Sequence, residues 1–137
     1  MTNIVHCVIN AGWVRAMRNS NNQSTRYMST LQENYIAKKF GGKVCPNSGA
    51  GKWQKSDVVV NRANMSIECK TSMTTKNSFT IKKDWIEKHR NEAFSNRLSN
   101  TAIAISFDPS GTENYFIISE KLMAYLIESL SLDSDID

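Results

Sequence analysis

The stretch from Asp57 to Lys70, DVVVNRANMSIECK, constrains the fold more than any other part of the chain. Two runs of mainly apolar residues, at 57–61 and 65–71, flank the turn-forming tetrapeptide Asn-Arg-Ala-Asn, and this pattern predicts a β-hairpin. Because side chains alternate between the two faces of a strand, the second run separates an apolar row from a polar row. The apolar row is Met65, Ile67 and Cys69, and the polar row is Ser66, Glu68 and Lys70.

The polar row has the residue types that metal-assisted phosphodiester hydrolysis requires. That reaction needs a nucleophilic water, relief of charge on the phosphate and support for the leaving oxygen, and Mg²⁺ held by carboxylates supplies much of this. Asp57, at the start of the first strand, is expected to reach the same cleft as Glu68. These two carboxylates and the Cys69 backbone carbonyl are the predicted metal ligands. Lys70 is expected to orient or activate the water and to stabilise developing charge.

The alternative for Glu68 and Lys70 is an ordinary surface charge pair, worth at most about 1 kcal/mol. Four features of the sequence favour a site instead: the hairpin, the apolar residues behind it, the glycine loop before it and the basic body of the chain.

A helix is predicted from Ser24 or Thr25 to about Phe40, where Gly41 and Gly42 end it. Glu33 lies at the margin of the inward stripe, where it is expected either to bind metal and complete the water network or to be simply solvated. The inward stripe is predicted to comprise Met28, Leu31, Tyr35, Ile36 and Lys39 or Phe40.

A loop rich in glycine and lysine, NSGAGKWQKS at 47–56, precedes the hairpin. It has a superficial likeness to a Walker A phosphate loop, but the first glycine is missing and Trp53 follows the lysine in place of Ser or Thr. We therefore reject nucleotide hydrolysis. Ser48, Lys52 and Lys55 are expected to contact a DNA backbone, which positions a duplex without reading its sequence.

The second half of the chain predicts a helix over Lys82–Arg97, a strand over Thr101–Phe107 that is buried on both faces, a strand over Tyr115–Ser119 and a last helix over Glu120–Leu130. Phe79–Ile81 is expected to be a brief extended piece. Lys82 and Lys83 are expected to flank DNA, and His89 is interpreted as a buried helix histidine rather than a ligand or general base. The predicted inward residues are Trp85, Ile86, His89, Ala93 and Phe94 in the first of these helices and Leu122, Met123, Leu126 and Ile127 in the second.

The charge of the chain is unevenly distributed. The net charge is +4, yet residues 38–97 carry thirteen Lys or Arg against five Asp or Glu. A basic body of this kind indicates either a polyanionic partner, for which nucleic acid is the common case, or a solvated basic surface.

The three cysteines are far apart and form no CxxC pair, so neither disulfides nor a zinc site is expected and a reducing compartment fits better. No run approaches the roughly 20 apolar residues of a membrane span. We expect a cytoplasmic protein of a bacterial, archaeal or phage-infected cell. An organellar protein is a less favoured alternative. It is considered because basic residues precede the first acidic one, Glu33.

Between Ser24 and Ile127 the chain resembles the PD-(D/E)XK nuclease superfamily, and most of all the archaeal-type Holliday junction resolvases and their phage relatives. The resemblance rests on Glu33, the loop Ser48–Gly51, the pair Asp57-Val58 and the run Ile67–Lys70. The helix from 82 and the strand from 101 follow in the family's order. Ser56 stands where the motif has a proline, and residues 1–23 have no counterpart in the family.

This resemblance implies an α/β fold with an αβββαβ core, in which helices flank a mixed central sheet. It implies a homodimer that depends on Mg²⁺, with Mn²⁺ as a possible substitute, and that nicks paired strands of a four-way DNA junction. By the same resemblance the catalytic set is Glu33, Asp57, Glu68 and Lys70, and Ser48 is a candidate helper.

The expected organisation is an N-terminal extension (1–23), a nuclease domain (24–130) and an acidic tail (131–137). The expected function is structure-selective cleavage of branched or duplex DNA. The alternatives are another nuclease role in restriction, repair or phage-genome processing, and a non-catalytic DNA-binding module on the same fold.

Overall fold

The computed structural model of the protein describes residues 21–46 and 56–134. The predicted helix, hairpin, helix, two strands and last helix are confirmed in this part of the chain, and a short strand lies between the first helix and the hairpin. None of its helices combines the length and apolar character needed to cross a membrane. The elements are α1 (Asn21–Phe40), β1 (Lys43–Val44), β2 (Val58–Val60), β3 (Met65–Thr71), α2 (Lys83–Ser95), β4 (Asn100–Ser106), β5 (Tyr115–Ile118) and α3 (Glu120–Ser134).

The five strands form one mixed sheet in the order β1-β2-β3-β4-β5. Neighbouring strands are antiparallel except for β3 and β4, which are parallel because α2 carries the chain back between them. Parallel neighbours require such a crossover, whereas the antiparallel pairs need only short turns. The fold is therefore α/β with a mixed sheet and helices, as predicted.

The predicted hairpin is present, with Val58 opposite Ile67 and Val60 opposite Met65. Its two strands are joined by a single 3-10 turn and by Asn64, whose φ of 48° lies in the left-handed region. Asparagine tolerates this conformation better than most residues, because its side chain can hydrogen-bond locally. The first strand is shorter than the predicted run, which leaves Asp57 just outside it.

The main core lies between α1 and the apolar face of the hairpin. Ile36, Val58 and Ile67 are buried there, and the small side chains of Ala102 and Ala104 let β4 join the same cluster. On β3 the predicted alternation is confirmed: Met65, Ile67 and Cys69 pack on this core, whereas Glu68 and Lys70 contact residues of α2 on the opposite face.

Several predicted inward residues are exposed. Phe94 has 81% of its surface exposed, whereas His89 and Ala93 of the same predicted stripe are buried. Tyr35 is also exposed, while its neighbour Ile36 is buried. Residues 79–81 form no strand.

The last helix departs most from expectation. It continues to Ser134, and of its predicted inward residues only Leu122 is buried, whereas Met123, Leu126 and Ile127 are exposed. An apolar stripe shows which face of a helix can be buried, but the remainder of the chain has to supply a surface that covers it. Here Leu122 and Leu126 border an open apolar groove of about 320 Å³, which Phe40, Met65, Phe116 and Ile118 also line.

Candidate active site

The site begins where the hairpin brings Asp57 beside β3. The backbone N–H of Cys69 donates a 2.8 Å hydrogen bond to Asp57 Oδ2, so the carboxylate is held against the strand that carries Glu68. Burial and the nearby charge of Glu68 raise the pKa of Asp57 from 3.8 to about 6, although this hydrogen bond and Lys70 lower it. The two predicted carboxylates therefore lie close together and repel each other.

Glu68 and Lys70 lie side by side on the polar face of β3, as their spacing predicts. Lys70 Nζ donates to Glu68 Oε1 at 3.0 Å, and both side chains are mostly covered. Their register partners on the parallel strand are Ile103 and Ile105, both buried. The ion pair is therefore flanked by apolar side chains and differs from the fully solvated surface pair considered as the alternative.

Helix α2 covers this pair with Trp85 and His89, which are one helical turn apart. The Trp85 ring centroid lies 4.9 Å from Lys70 Nζ. His89 is buried, as predicted, and its Nε2 donates to the Ser66 carbonyl at 3.0 Å, since a carbonyl oxygen can only accept. The other ring nitrogen, Nδ1, lies 3.8 Å from Glu68 Oε2 and has no hydrogen-bond partner in the part of the chain that the structure describes.

Glu33 joins the cluster electrostatically from α1. Its pKa is raised from 4.5 to about 7, first by burial and then by the charges of Asp57 and Glu68. A carboxyl group on an isolated solvated helix face would keep an ordinary pKa. The structure therefore brings Glu33 under the electrostatic influence of Asp57 and Glu68, and its membership of the site stays a prediction.

Gln32 anchors the helix that carries Glu33, and sequence reasoning overlooked it. Its side chain is fully buried, and its Nε2 lies 3.3 Å from the carbonyl oxygens of Lys70 and Ala104 and donates to Asn114 Oδ1 at 2.9 Å. The spacing of Met28, Gln32 and Ile36, four residues apart, was the signal that could have revealed it.

A glycine makes the close approach to Gln32 possible. Gly111 has a φ of +65°, and a Cβ atom at this position would lie 2.7 Å from Gln32 Cβ and 2.8 Å from Gln32 Cα. Both the left-handed backbone and the contact exclude a larger residue without movement. The turn before β5 thus helps to fix α1, and with it Glu33, against the sheet.

Ser56, the residue before Asp57, has a structural role of its own. It is buried and forms a short hydrogen bond between its Oγ and that of Ser66, which is also buried. This bond ties the residue before Asp57 to the residue two before Glu68, so it connects the two segments that carry the carboxylates.

The predicted DNA-binding residues fall into two groups. Ser48, Lys52 and Lys55 lie outside the residues that the structure describes. Lys82 and Lys83 lie at the start of α2, the first with its Nζ 5.8 Å from the Trp85 ring centroid and the second in an exposed ion pair with Glu87 at 3.5 Å.

The carboxylates suit Mg²⁺ better than a metal that needs a complete protein cage. Within residues 21–46 and 56–134, no three His, Cys, Asp or Glu side chains converge as a ready-made metal site. Mg²⁺ usually keeps several waters and takes one or two carboxylates together with substrate phosphates. Asp57 and Glu68 would hold such an ion, and its charge would offset the burial and the mutual repulsion that raise the pKa values of Asp57 and Glu33.

Comparison with known proteins finds no similarity: no protein-family model, no curated protein and no solved structure matches the chain significantly.

Proposed function

We propose that the protein is a metal-dependent DNA endonuclease that hydrolyses phosphodiester bonds. The observation that carries the proposal is the arrangement on β3: Asp57 bonded to the Cys69 N–H, and Glu68 bonded to Lys70, on a strand that α2 covers. Two carboxylates and one ammonium group, all mostly covered, on a basic chain match the needs of this reaction better than those of a structural ion pair.

In the proposed mechanism each side chain has a separate task. Lys70 donates hydrogen bonds to the phosphate or to the attacking water and offsets the negative charge that develops as the water oxygen bonds to phosphorus. Glu68 holds the Lys70 ammonium group in place through its Oε1. Carboxylate oxygens of Asp57 and Glu68 would be the ligands of a cation. When bound, Mg²⁺ supplies Lewis-acid polarisation of the phosphate and a more acidic water.

The hydrolysis balances with these groups alone. The water oxygen forms a bond to phosphorus while the bond from phosphorus to the leaving sugar oxygen breaks, and that oxygen leaves with a proton. Glu33 is near enough to Asp57 and Glu68 for their charges to act on it, and its carboxyl group would exchange the proton with a water of the site.

The finer part of the proposal is that the DNA substrate is a four-way junction and that the enzyme acts as a homodimer. Both follow from the resemblance to resolvases of the PD-(D/E)XK superfamily and stay predictions. The element order from α1 to β4, helix, three strands, helix and strand, supports the proposal because it agrees with the αβββαβ core that the resemblance implies.

The experiment is cleavage of labelled synthetic DNAs with Mg²⁺: a four-way junction, a flap, a linear duplex and a single strand. Wild type is compared with Lys70→Ala. Symmetric nicks confined to the junction and lost in the variant would establish a resolvase. Cutting of duplex or single strands would keep the nuclease and remove the junction specificity.

The remaining outcome concerns the non-catalytic alternative. Junction binding with no cutting of any DNA, with either Mg²⁺ or Mn²⁺, would overturn the proposed activity in favour of a DNA-binding module.

A further inference from the structure

The Trp85 ring lies next to two lysine ammonium groups. Lys70 Nζ is 4.9 Å and Lys82 Nζ is 5.8 Å from its centroid. An indole face attracts a cation within about 6 Å of the centroid, because the ring quadrupole is negative there. The two ammonium groups therefore share one ring and cannot be further apart than these two distances combined.

The start of α2 keeps this arrangement in register. The Trp85 backbone N–H donates to the Lys82 carbonyl at 3.1 Å, so the two residues lie one helical turn apart, where side chains meet. A lysine side chain is otherwise a flexible four-carbon stem with many rotamers. The half-buried indole ring gives both lysines a preferred place on the side of α2 that faces β3.

Lys82 and Lys83 differ in the charged groups that lie near them. Lys83 Nζ forms an ion pair with Glu87 Oε1 at 3.5 Å along the exposed side of α2. Among the described residues, no carboxylate lies within ion-pair distance of Lys82. The charge of Lys82 is thus available to an external anion beside Lys70, whereas that of Lys83 is partly compensated.

We propose that Trp85 is a positioning residue that holds Lys70 and Lys82 side by side; this inference rests on the proposed nuclease function. Lys82 then binds a phosphate of the same DNA strand, next to the phosphate that Lys70 contacts. Phosphate contacts of this type set the register of the nucleic acid on the protein. Binding at Lys82 then places one particular phosphodiester at Glu68 and Lys70.

The test measures DNA binding at a series of salt concentrations without divalent metal, so that no strand is cut. The DNA is the substrate that wild type cleaves best. Each phosphate contact contributes about 0.9 to the slope of log affinity against log salt for duplex DNA. We expect Lys82→Ala to lower the slope by about that amount and Lys83→Ala to lower it less.

A double-mutant comparison isolates the contribution of the ring. Trp85→Leu should lower the salt slope as Lys82→Ala does, and in the Trp85→Leu background Lys82→Ala should have little further effect. Trp85→Phe retains an aromatic face and should restore most of the slope. In single-turnover cleavage at saturating DNA, Trp85→Leu should also be slower than Trp85→Phe, because Lys70 loses its preferred position.

The outcomes separate the two proposals. If wild type binds and cuts DNA but the effects of Trp85→Leu and Lys82→Ala simply add, the positioning role of Trp85 is wrong and the nuclease function stands. Equal losses for Lys82→Ala and Lys83→Ala would also overturn it, and this comparison does not depend on how well any Trp85 variant folds. If wild type binds no DNA, the nuclease function itself fails.

Discussion

The two faces of β3 have opposite energetic characters. On one face Ile67 is buried in a tightly packed apolar cluster with Ile36 and Val58, which stabilises the fold. On the other face Glu68 carries a charge that helps to raise the pKa values of Asp57 and Glu33, after their burial, so the charged forms of these carboxyl groups are disfavoured. One strand thus supplies stability on one side and stores electrostatic repulsion on the other.

A small domain can thus hold charged groups that repel each other. The hydrogen bonds around the carboxylates, from the Cys69 N–H and from Lys70, hold the repelling groups in place. The apolar face of the same strand supplies the stability that keeps these groups together. Substitutions on the two faces should therefore change different properties, activity on the polar face and stability on the apolar face.

The largest effect is expected on the polar face. Glu68→Gln keeps the size of the side chain but removes its charge, so Lys70 loses its ion-pair partner and a cation loses a ligand. We expect DNA cleavage to fall by about 10²–10³-fold or more, with the thermal midpoint unchanged or raised. The rate is measured under single-turnover conditions. Glu87→Gln is the matched control on an exposed pair, and a Glu68→Gln rate close to that of wild type would contradict the site.

On the apolar face, Ile67→Ala should destabilise the protein by about 2–5 kcal/mol, because it leaves a cavity in the core beneath α1. Ile67→Val should cost about 0.5–1.5 kcal/mol. The free energy of unfolding is measured in urea, at a temperature where the variant remains folded without denaturant. A loss for Ile67→Ala no greater than that for the valine variant would show that this face is not the main core.

A smaller effect on stability is expected at Glu33, and it depends on pH. Because its pKa is raised from 4.5 to about 7, the folded protein binds more protons than the unfolded chain between these values. The contribution of Glu33 to stability therefore declines as pH rises from about 4.5 to about 7. The charged groups that raise the pKa of Glu33 are Asp57 and Glu68. The pKa of Asp57 is also raised, so its contribution to stability likewise declines as pH rises to about 6.

Glu33→Gln removes this penalty, so the variant should melt at a higher temperature than wild type at pH 8 and close to the wild-type temperature at pH 4.5. Thermal midpoints across this range provide the measurement. A difference that is constant with pH would contradict the electrostatic coupling. Addition of Mg²⁺ should raise the wild-type midpoint more than that of the variant, since the cation relieves the same repulsion.

The smallest effect is expected within α2, where an exposed residue and a buried residue are neighbours. Phe94 is largely exposed, so Phe94→Ser should change the free energy of unfolding by no more than about 0.5 kcal/mol. Its neighbour Ala93 is fully buried, and Ala93→Leu should cost about 1–3 kcal/mol through overpacking. A large loss of unfolding free energy for Phe94→Ser would indicate that Phe94 is buried, as the sequence predicts.

Sequence reasoning predicted the hairpin and the polar row correctly because both depend on local rules. Alternation along a strand places Glu68 and Lys70 on one face whatever the rest of the chain does. The turn residues at 61–64 bring β3 back alongside β2, the strand that follows Asp57. The place of Glu33 near the site was also expected, although from position and resemblance.

Other features depended on contacts between distant segments. Gln32 reads as one more polar helix residue, yet its amide lies 3.3 Å from the carbonyl oxygens of two strands. Trp85 was expected as a core residue, but its ring faces two lysines. Phe94 and the residues of α3 after Leu122 have apolar side chains whose burial depends on whether another surface covers them.

Local sequence patterns are enough to predict the order of the elements, the two faces of β3 and the residue types that meet there, because periodicity and turn chemistry act over a few residues. Tertiary packing was needed to show that α1 brings Glu33 to within electrostatic influence of Asp57 and Glu68, that Trp85 rather than a solvent shell meets Lys70, and that much of α3 stays uncovered. These outcomes depend on which surfaces meet across the sheet, and such contacts between segments far apart in the chain leave no periodic signal in the sequence.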